Sequence, residues 1–188
     1  MPRWQQSIAS CLCFATISLA AMGLSACIKP TTVEVPAQIG PYHELNGRLL
    51  VITPEGRWQV TIDYRSSTPA VGYLRLTHAA SSRVIELRWQ QKNMEMRDNG
   101  HSPVWSQISH AQLSEHGIVL KPVELATFLQ GDTPAGFRSK GGGIWERHQQ
   151  SGNGKHLIRV TWQPKGKRLI ISDIPQGKTA TLIISEGK

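Results

Sequence analysis

The amino-acid sequence predicts a mostly β protein, in which one curved antiparallel sheet carries short helices over its concave face. Three observations predict this fold class. Several short segments alternate apolar and polar residues, which is the period of a half-buried strand. Glycine, proline and asparagine separate these segments, as in the turns of hairpins. Between residues 104 and 131 the strict alternation stops, and apolar residues recur at helical spacing instead.

Five strands are predicted before residue 100, at 45–52, 57–65, 72–77, 83–90 and 93–97. The second of them alternates strictly, so that Trp58, Val60 and Ile62 face one side of the sheet and polar residues face the other. Proline and glycine in Thr53-Pro54-Glu55-Gly56 are typical of a tight turn, and Asp98-Asn99-Gly100 is typical of a hairpin. These segments predict antiparallel neighbours.

Two short helices are predicted in the middle of the chain. The first spans 104–116, and the second begins at Pro122, because proline is favoured in the first helical turn. Gly117 and Gly131 follow these segments, as glycine commonly follows a helix. The apolar positions at helical spacing are Val104, Ile108 and Ala111 in the first helix and Leu125, Phe128 and Leu129 in the second. Since each helix has one apolar face, we expect both to pack on the sheet.

Strands resume after the glycine run at 141–143. Four are predicted, at 144–150, 155–163, 167–174 and 178–186. Glycine stands in every joint between them, with proline in two of the joints. About nine strands with two inserted helices are most simply arranged as one curved antiparallel sheet that the helices cover.

Residues 1–26 are typical of a bacterial secretory signal, since Arg3 is their only charged residue and an apolar stretch runs from Ile8 to Leu24. A single membrane-spanning helix is the alternative. It needs about 20 mostly apolar residues, whereas serines and a threonine interrupt this stretch. The stretch ends in Leu24-Ser25-Ala26-Cys27, which resembles the lipobox at which bacterial lipoproteins are cleaved and acylated. Cys27 is therefore predicted to carry lipid.

The motif divides the chain into a signal peptide at 1–26, a lipidated cysteine with a tether at 27–43, and a folded domain at 44–188. Three prolines and the lack of a helical period predict the tether. Cys11 and Cys13 lie in the removed segment, so the mature chain is expected to contain neither a free thiol nor a disulfide. Ile28 after the acylated cysteine, rather than aspartate, indicates the periplasmic face of the outer membrane, with anchoring through Cys27.

Four short motifs stand in order along the domain. Gly47-Arg48-Leu49 opens the first strand, and the turn at 53–56 with the strand of Trp58 follows. Ile85-Glu86-Leu87 comes next. In the segment 117–134, a glycine, apolar residues and a proline precede a Leu-x-x-x-Leu-x-Gly-x-x-Pro pattern. Together these motifs resemble the outer-membrane lipoprotein receptor LolB family, over residues 44–186, as a divergent member.

The resemblance implies an incomplete β-barrel in which a lid of short helices covers an apolar cavity. It also implies a function, which is to accept acylated lipoproteins from a LolA-like periplasmic carrier and to place them in outer-membrane lipid. The chain is expected to be a monomer. The family carries an apolar residue in the loop after its third strand, whereas the loop Thr77–Ser82 has no large apolar side chain. His78, Ala79 and Ala80 are the residues that the resemblance assigns to membrane contact.

Inward-facing apolar residues are the candidates for holding acyl chains, because such chains need apolar and adaptable walls. The candidates are Trp58, Val60, Ile62, Leu74, Leu87, Trp89, Met94, Met96, Phe128 and Leu129. Alternation by itself is more typical of a filled core, so a second class of function stays open. In that alternative, the domain is filled by its own side chains and serves as a structural or interaction lipoprotein of the cell envelope.

Other classes of function find little support in the residues. The motifs of serine hydrolases, zinc proteases and phosphate-binding loops are absent from the sequence, so no enzyme activity, cofactor or metal site is expected. The net charge of +8 is dispersed, and attraction to anionic lipid is the alternative to simple solvation. An exported protein is not expected to bind nucleic acid. Most of the arginines are predicted to lie on outward strand faces, and they are Arg57, Arg65, Arg75, Arg83, Arg88 and Arg97. Outward faces or turns are predicted for Asp63, Asp98 and Asp132. His110 and His116 are predicted to be solvated.

Overall fold

Eleven antiparallel strands form one continuous sheet in the part of the chain that the structure describes. The computed structural model describes residues 38–115, 118–151 and 154–187. The strands are β1 (Glu44–Thr53), β2 (Gly56–Thr68), β3 (Val71–His78), β4 (Arg83–Gln90), β5 (Asn93–Asp98), β6 (Ser102–Gln107), β7 (Arg138–Gly141), β8 (Ile144–Ser151), β9 (Gly154–Gln163), β10 (Arg168–Asp173) and β11 (Lys178–Gly187). Their order in the sheet is β6-β5-β4-β3-β2-β1-β11-β10-β9-β8-β7.

One helical connection takes the chain from one edge of this sheet to the opposite edge. From β1 it runs strand by strand to β6 at one edge. Two helices, α1 (His110–Glu115) and α2 (Pro122–Leu129), then lead to β7 at the opposite edge, from which the chain returns until β11 pairs with β1. The two edge strands do not pair with each other, so the sheet is not closed into a barrel. The predicted fold class, an open antiparallel sheet with short helices, is confirmed.

The register of the pairs brings the apolar side chains of neighbouring strands together on one face. Leu74 of β3 lies opposite Tyr64 of β2 and Leu87 of β4, and all three are buried. On the other side of β1, Leu169 of β10 lies opposite Leu182 of β11. Because strand side chains alternate between the two faces, these rows form one continuous apolar surface against which the helices pack.

The sheet curls strongly around α1. The Ile108 N–H donates to the Met94 carbonyl of β5, at 3.0 Å, just before α1 begins. Near the end of α1, Lys178 Nζ of β11 donates to the Ser114 carbonyl, at 2.9 Å. In a flat sheet, β5 and β11 would be about 24 Å apart, at about 4.8 Å for each strand spacing. A six-residue helix spans only about 9 Å. Both strands can therefore reach α1 only if the sheet wraps around it.

The predicted first helix is wrong in its first half. Residues 102–107 form β6, which pairs with β5 through Met96 opposite Ser106 and Asp98 opposite Ser102. The Asp98-Asn99-Gly100 turn folds the chain back onto β5, and this pairing overrides the helical spacing of the apolar residues. Val104 is 69% exposed, so it supplies no helix face. Only the segment from His110 onward is helical.

The sequence also predicted about nine strands, whereas the described residues contain two more. The additional strands are β6 and β7, at the two edges of the sheet. Every residue of β7 is exposed, and β6 contains one half-buried side chain among exposed neighbours. Edge strands of this kind lack the apolar alternation by which a strand is recognised.

Residues 38–43, which fall within the predicted tether, lie against the domain. Ile39 is buried, and the Tyr42 N–H donates to the Leu129 carbonyl at the end of α2, at 2.7 Å. The predicted signal peptide, Cys27, and the tether up to residue 37 lie outside the described residues, as do His116 and Gly117. The predicted boundaries of these segments stay predictions.

Candidate functional site

A partly enclosed cavity of about 980 Å³ lies between β1–β5 and α1. Its wall is mainly apolar, and the strands supply most of it through their inward positions. The apolar lining residues are Trp58, Val60, Leu74, Leu76, Ile85, Leu87, Met96, Leu113 and Ile118. Leu74, Leu87 and Met96 lie directly opposite one another on β3, β4 and β5, so they form one row across the floor. We call this space the main cavity.

The mouth of the main cavity is polar and lies at one end of the sheet. Its lining residues come from the turns β1–β2, β3–β4 and β5–β6 and from the start of β11, which antiparallel hairpins place at the same end. The polar lining residues are Thr53, Glu55, His78, Ser81, Arg83, Asp98, His101 and Lys178. An apolar interior with a polar entrance suits an amphipathic ligand that inserts its apolar part.

The Arg83–Asp98 pair dominates the electrostatics of the mouth. The side chain of Asp98 is only 7% exposed, and both its carboxylate oxygens accept from Arg83 Nε at 3.1 Å. The Gly100 N–H donates to the same carboxylate at 2.9 Å. The hydrogen bonds from Arg83 hold the pKa of Asp98 below its usual value, against the opposing effect of burial. Asp98 is therefore ionised at neutral pH, and Arg83 neutralises it.

The positions of Arg83 and Asp98 correct the sequence interpretation, which assigned aspartates to outward faces or turns and most arginines to outward faces. Asp98 follows Met94 and Met96 at the next inward position of β5 and lies opposite Ile85. Arg83, the first residue of β4, lies opposite His78 of β3. The alternation that identified the two methionines extends to Asp98, so the pattern contained the signal for this inward carboxylate.

A second pair of opposite charges stands at the mouth. A hydrogen bond from the Thr53 hydroxyl lowers the pKa of Glu55, and the charge of Lys178 lowers it further. Lys178 also holds the end of α1 through the Ser114 carbonyl, at 2.9 Å. With two cations and two carboxylates, the mouth carries no excess charge when its histidines are neutral. It therefore offers no strong electrostatic preference for an anionic or a cationic ligand.

The loop assigned to membrane contact lies beside this mouth. Ala79 and Ala80 are exposed in the turn between β3 and β4. His78 lines the cavity, and its Nδ1 lies 2.9 Å from the Ser81 hydroxyl. A surface that met this loop would therefore also meet the cavity entrance. Its contact with a membrane stays a prediction.

Half of the predicted acyl-binding residues line the main cavity. They are Trp58, Val60, Leu74, Leu87 and Met96. Met94 lines a second cavity at the opposite end of the sheet. The remaining four are buried without lining either space, and they are Ile62, Trp89, Phe128 and Leu129. Whether any of these side chains binds acyl chains stays a prediction.

Trp89 is held in the core by three neighbours. Its ring stacks on Tyr64 with the centroids 6.2 Å apart, and its Nε1 donates to the Pro69 carbonyl at 3.0 Å. Gly72 lies opposite it on β3, where a Cβ atom would come within 2.2 Å of the indole ring. Only glycine leaves room for the indole at this position. The same burial raises the pKa of Tyr64 to about 12.

Phe128 is likewise packed against aromatic neighbours. Its ring makes edge contacts with Phe137 and Trp145, at centroid distances of 5.0 and 5.6 Å. Arg147 of β8 lies over the Phe137 ring and donates to both carboxylate oxygens of Glu124 on α2, at 2.5 and 3.2 Å. The aromatic cluster and this pair together fasten α2 to the sheet.

The sequence interpretation missed several residues of the cavity. Leu76 and Ile85 share the alternation of the predicted set but were not among the candidates for binding. Leu113 and Ile118 lie in and after α1, where the predicted helix started too early. His110, which was assigned to solvent, is half-buried at the start of α1, and burial lowers its pKa.

Two arginines on the opposite face of the sheet are paired with glutamates and also contact one tryptophan ring. Arg88 of β4 donates to Glu95 at 2.5 Å, and Arg97 of β5 donates to Glu86. The guanidinium groups of Arg88 and Arg97 lie 4.3 and 4.9 Å from the ring centroid of Trp105. These contacts balance part of the positive charge on the outer face.

The described residues contain neither a metal-binding cluster nor a membrane-spanning helix. No group of three His, Cys, Asp or Glu side chains there could hold a metal ion. No helix of that part of the chain is both long and apolar enough to cross a membrane.

The comparisons with known proteins find a likeness to solved structures. No family model matches the sequence, and no curated protein matches it significantly. Among solved structures, the chain is similar to the crystal structure of a LolA superfamily protein from Nitrosomonas europaea. The two are 11% identical with a TM-score of 0.45, over 80% of this chain and 87% of that chain.

Proposed function

We propose that the protein is an outer-membrane lipoprotein that accepts acylated lipoproteins from a periplasmic carrier and places them in the outer membrane. The observation that carries this proposal is the main cavity, whose floor is a row of apolar side chains and whose entrance is polar. The acyl chains of a cargo lipoprotein would occupy the interior, and its polar backbone would stay at the mouth. The proposal assigns the protein no chemical step.

The walls suit a cargo that must be both bound and released. Apolar contacts are non-directional, and the flexible side chain of Met96 adapts to the shape of a neighbour. Each methylene removed from water stabilises the bound state by about 0.8 kcal/mol. A membrane provides the same gain, so cargo can leave for the bilayer without a large change in free energy.

The cavity is tested by one substitution on its wall and one beside it. Trp58 lines the cavity near the mouth, where a carboxylate can be hydrated without unfolding the core, and Gln59 points outward. In the native bacterium depleted of the protein, lipoproteins should accumulate away from the outer membrane. Full-length protein with Gln59→Glu should restore their distribution, and Trp58→Glu should not. Equal rescue by both variants would contradict the proposed use of the cavity.

Anchoring is tested separately at Cys27. The lipobox predicts that labelled fatty acid enters the wild-type protein and not Cys27→Ala, which should leave the outer-membrane fraction. Label retained in Cys27→Ala would disprove the assignment of this cysteine. The alternative function, an envelope scaffold, gains support if depletion leaves every lipoprotein correctly placed.

A further inference from the structure

A second cavity lies at the opposite end of the sheet from the mouth. It has a volume of about 780 Å³ and is lined at the turns by Ala70, Gln91 and Lys92. These residues belong to the turns β2–β3 and β4–β5, which antiparallel hairpins place away from the turns of the mouth. Its apolar lining includes Met94, Ile108, Val123 and Pro134. We call it the distal cavity.

The two cavities are separated by a thin wall. On β5, Met96 lines the main cavity and Met94 lines the distal cavity, and these inward neighbours are only about 7 Å apart along the strand. On α1, Leu113 lines the main cavity and His110 lines the distal cavity, one helical turn away. No residue of the described chain lines both spaces.

Leu113 is the best-fixed part of this wall. It is 1% exposed, and it is the only fully buried residue of α1 among those whose side chains the structure describes. The helix that carries it is tied to β5 at one end, through Ile108 and Met94, and to β11 at the other, through Lys178. These bonds hold Leu113 across the axis of the curled sheet.

We propose that Leu113, with Met94 and Met96, sets the length of the acyl chain that the protein holds. This inference rests on the proposed function. A chain that enters at the mouth crosses the row Leu74, Leu87 and Met96, and its methyl end stops at Leu113. Trimming the wall opens the apolar side of the distal cavity to the same chain.

The test uses straight-chain fatty acids of increasing length with a photoreactive diazirine at the methyl end. Full-length protein in nanodiscs is irradiated with each of them, and peptide mass spectrometry locates the label. In the wild type, the longest chains should label Leu113 or Met96, with little label on Ile108 and Val123. In Leu113→Ala, label on Ile108 and Val123 should rise about fifteenfold, since two further buried methylenes each strengthen binding about fourfold.

Two further variants make the test decisive. Leu113→Phe should shorten the longest chain that binds. Leu76→Ala, which widens the main cavity away from the wall, should leave the position of the label unchanged. If Leu113→Ala does not fold, Met96→Ala replaces it with the same expected gain at Ile108 and Val123, because Met96 is only half-buried.

The failures of the two proposals are distinguishable. Equal label on Ile108 and Val123 in the wild type and in the wall variants would overturn the length limit and leave acyl binding intact. A shift caused equally by Leu76→Ala would also overturn it, because total volume rather than the wall would then set the length. If no fatty acid labels the cavity saturably, the proposed function itself fails.

Discussion

Strands β2–β5 and strands β8–β10 present the same alternation of apolar side chains to the helices, but the two regions are filled differently. Against β2–β5 lies α1, with Leu113 as its buried side chain, and the main cavity remains between them. Phe128 at the end of α2 packs on Phe137 and on Trp145 of β8. We call these regions the hollow half and the packed half.

The difference teaches that the covering segment, rather than the sheet, decides whether a concave face becomes a cavity. Aromatic side chains and residues 38–43 fill the packed half. Tyr42 makes an edge contact with Trp162 of β9, with the ring centroids 6.5 Å apart. The hollow half is covered by a helix of six residues, which has too few large side chains to fill it. Each of the following substitutions tests whether the two halves differ as described.

The largest effect is expected from matched leucine truncations. Leu129→Ala in the packed half should destabilise the protein by about 4 kcal/mol, because close packing leaves a new void. Leu87→Ala in the hollow half should cost about 2 kcal/mol, because one side of Leu87 already faces the cavity. Urea unfolding of both variants measures the difference. Equal losses would show that the cavity is filled in solution.

The next effect concerns the pair that holds α2. Arg147 and Glu124 have side chains only 14% and 13% exposed, so Glu124→Gln leaves a nearly buried cation without its counter-charge. We expect a loss of about 2 kcal/mol in the free energy of unfolding. Arg159→Gln removes a more exposed partner of Glu146 and should cost at most about 0.5 kcal/mol. A similar loss in both variants would show that Arg147 does not fasten the helix.

Much of the sheet could be predicted from the sequence, because its strands carry the period-two pattern. The predicted strand at 83–90 has the bounds of β4. The edge strands β6 and β7 could not be found in this way, since their residues are mostly exposed on both faces. The hollow and packed halves could not be distinguished either. Leu87 and Leu169 occupy equivalent places in the alternation, and only the covering helix decides which of them faces a void.

A smaller effect is expected from the carboxylate at the mouth of the hollow half. Arg83 holds the folded-state pKa of Asp98 below its unfolded value of about 3.9. The stability that Asp98 contributes is therefore complete above that value and is lost as the pH falls through the lower folded-state pKa. Asp98→Asn should cost about 1 kcal/mol at pH 7.

Unfolding free energies measured from neutral to strongly acid pH check this sign. The difference between wild type and Asp98→Asn should shrink as the pH falls below about 3.9 and vanish in strong acid. Asp132→Asn, in an exposed turn, serves as the control and should follow the wild type throughout. A constant difference at every pH would mean that the carboxylate charge is not what stabilises the mouth.

The smallest effect on stability, and the most local, is expected at Lys178. Its ammonium group donates to the Ser114 carbonyl near the end of α1, where a cation also interacts favourably with the helix dipole. Lys178→Met should change the global stability by less than about 0.5 kcal/mol. It should nevertheless speed hydrogen exchange at the Leu113 amide, which bonds to the Ser109 carbonyl, because local opening of a short helix needs little free energy.

Exchange at the Leu125 amide of α2 should stay slow, as should both amides in Lys155→Met, whose lysine is exposed. If Lys178→Met speeds the Leu113 and Leu125 amides equally, the two helices open together, and the hollow half is no looser than the packed half.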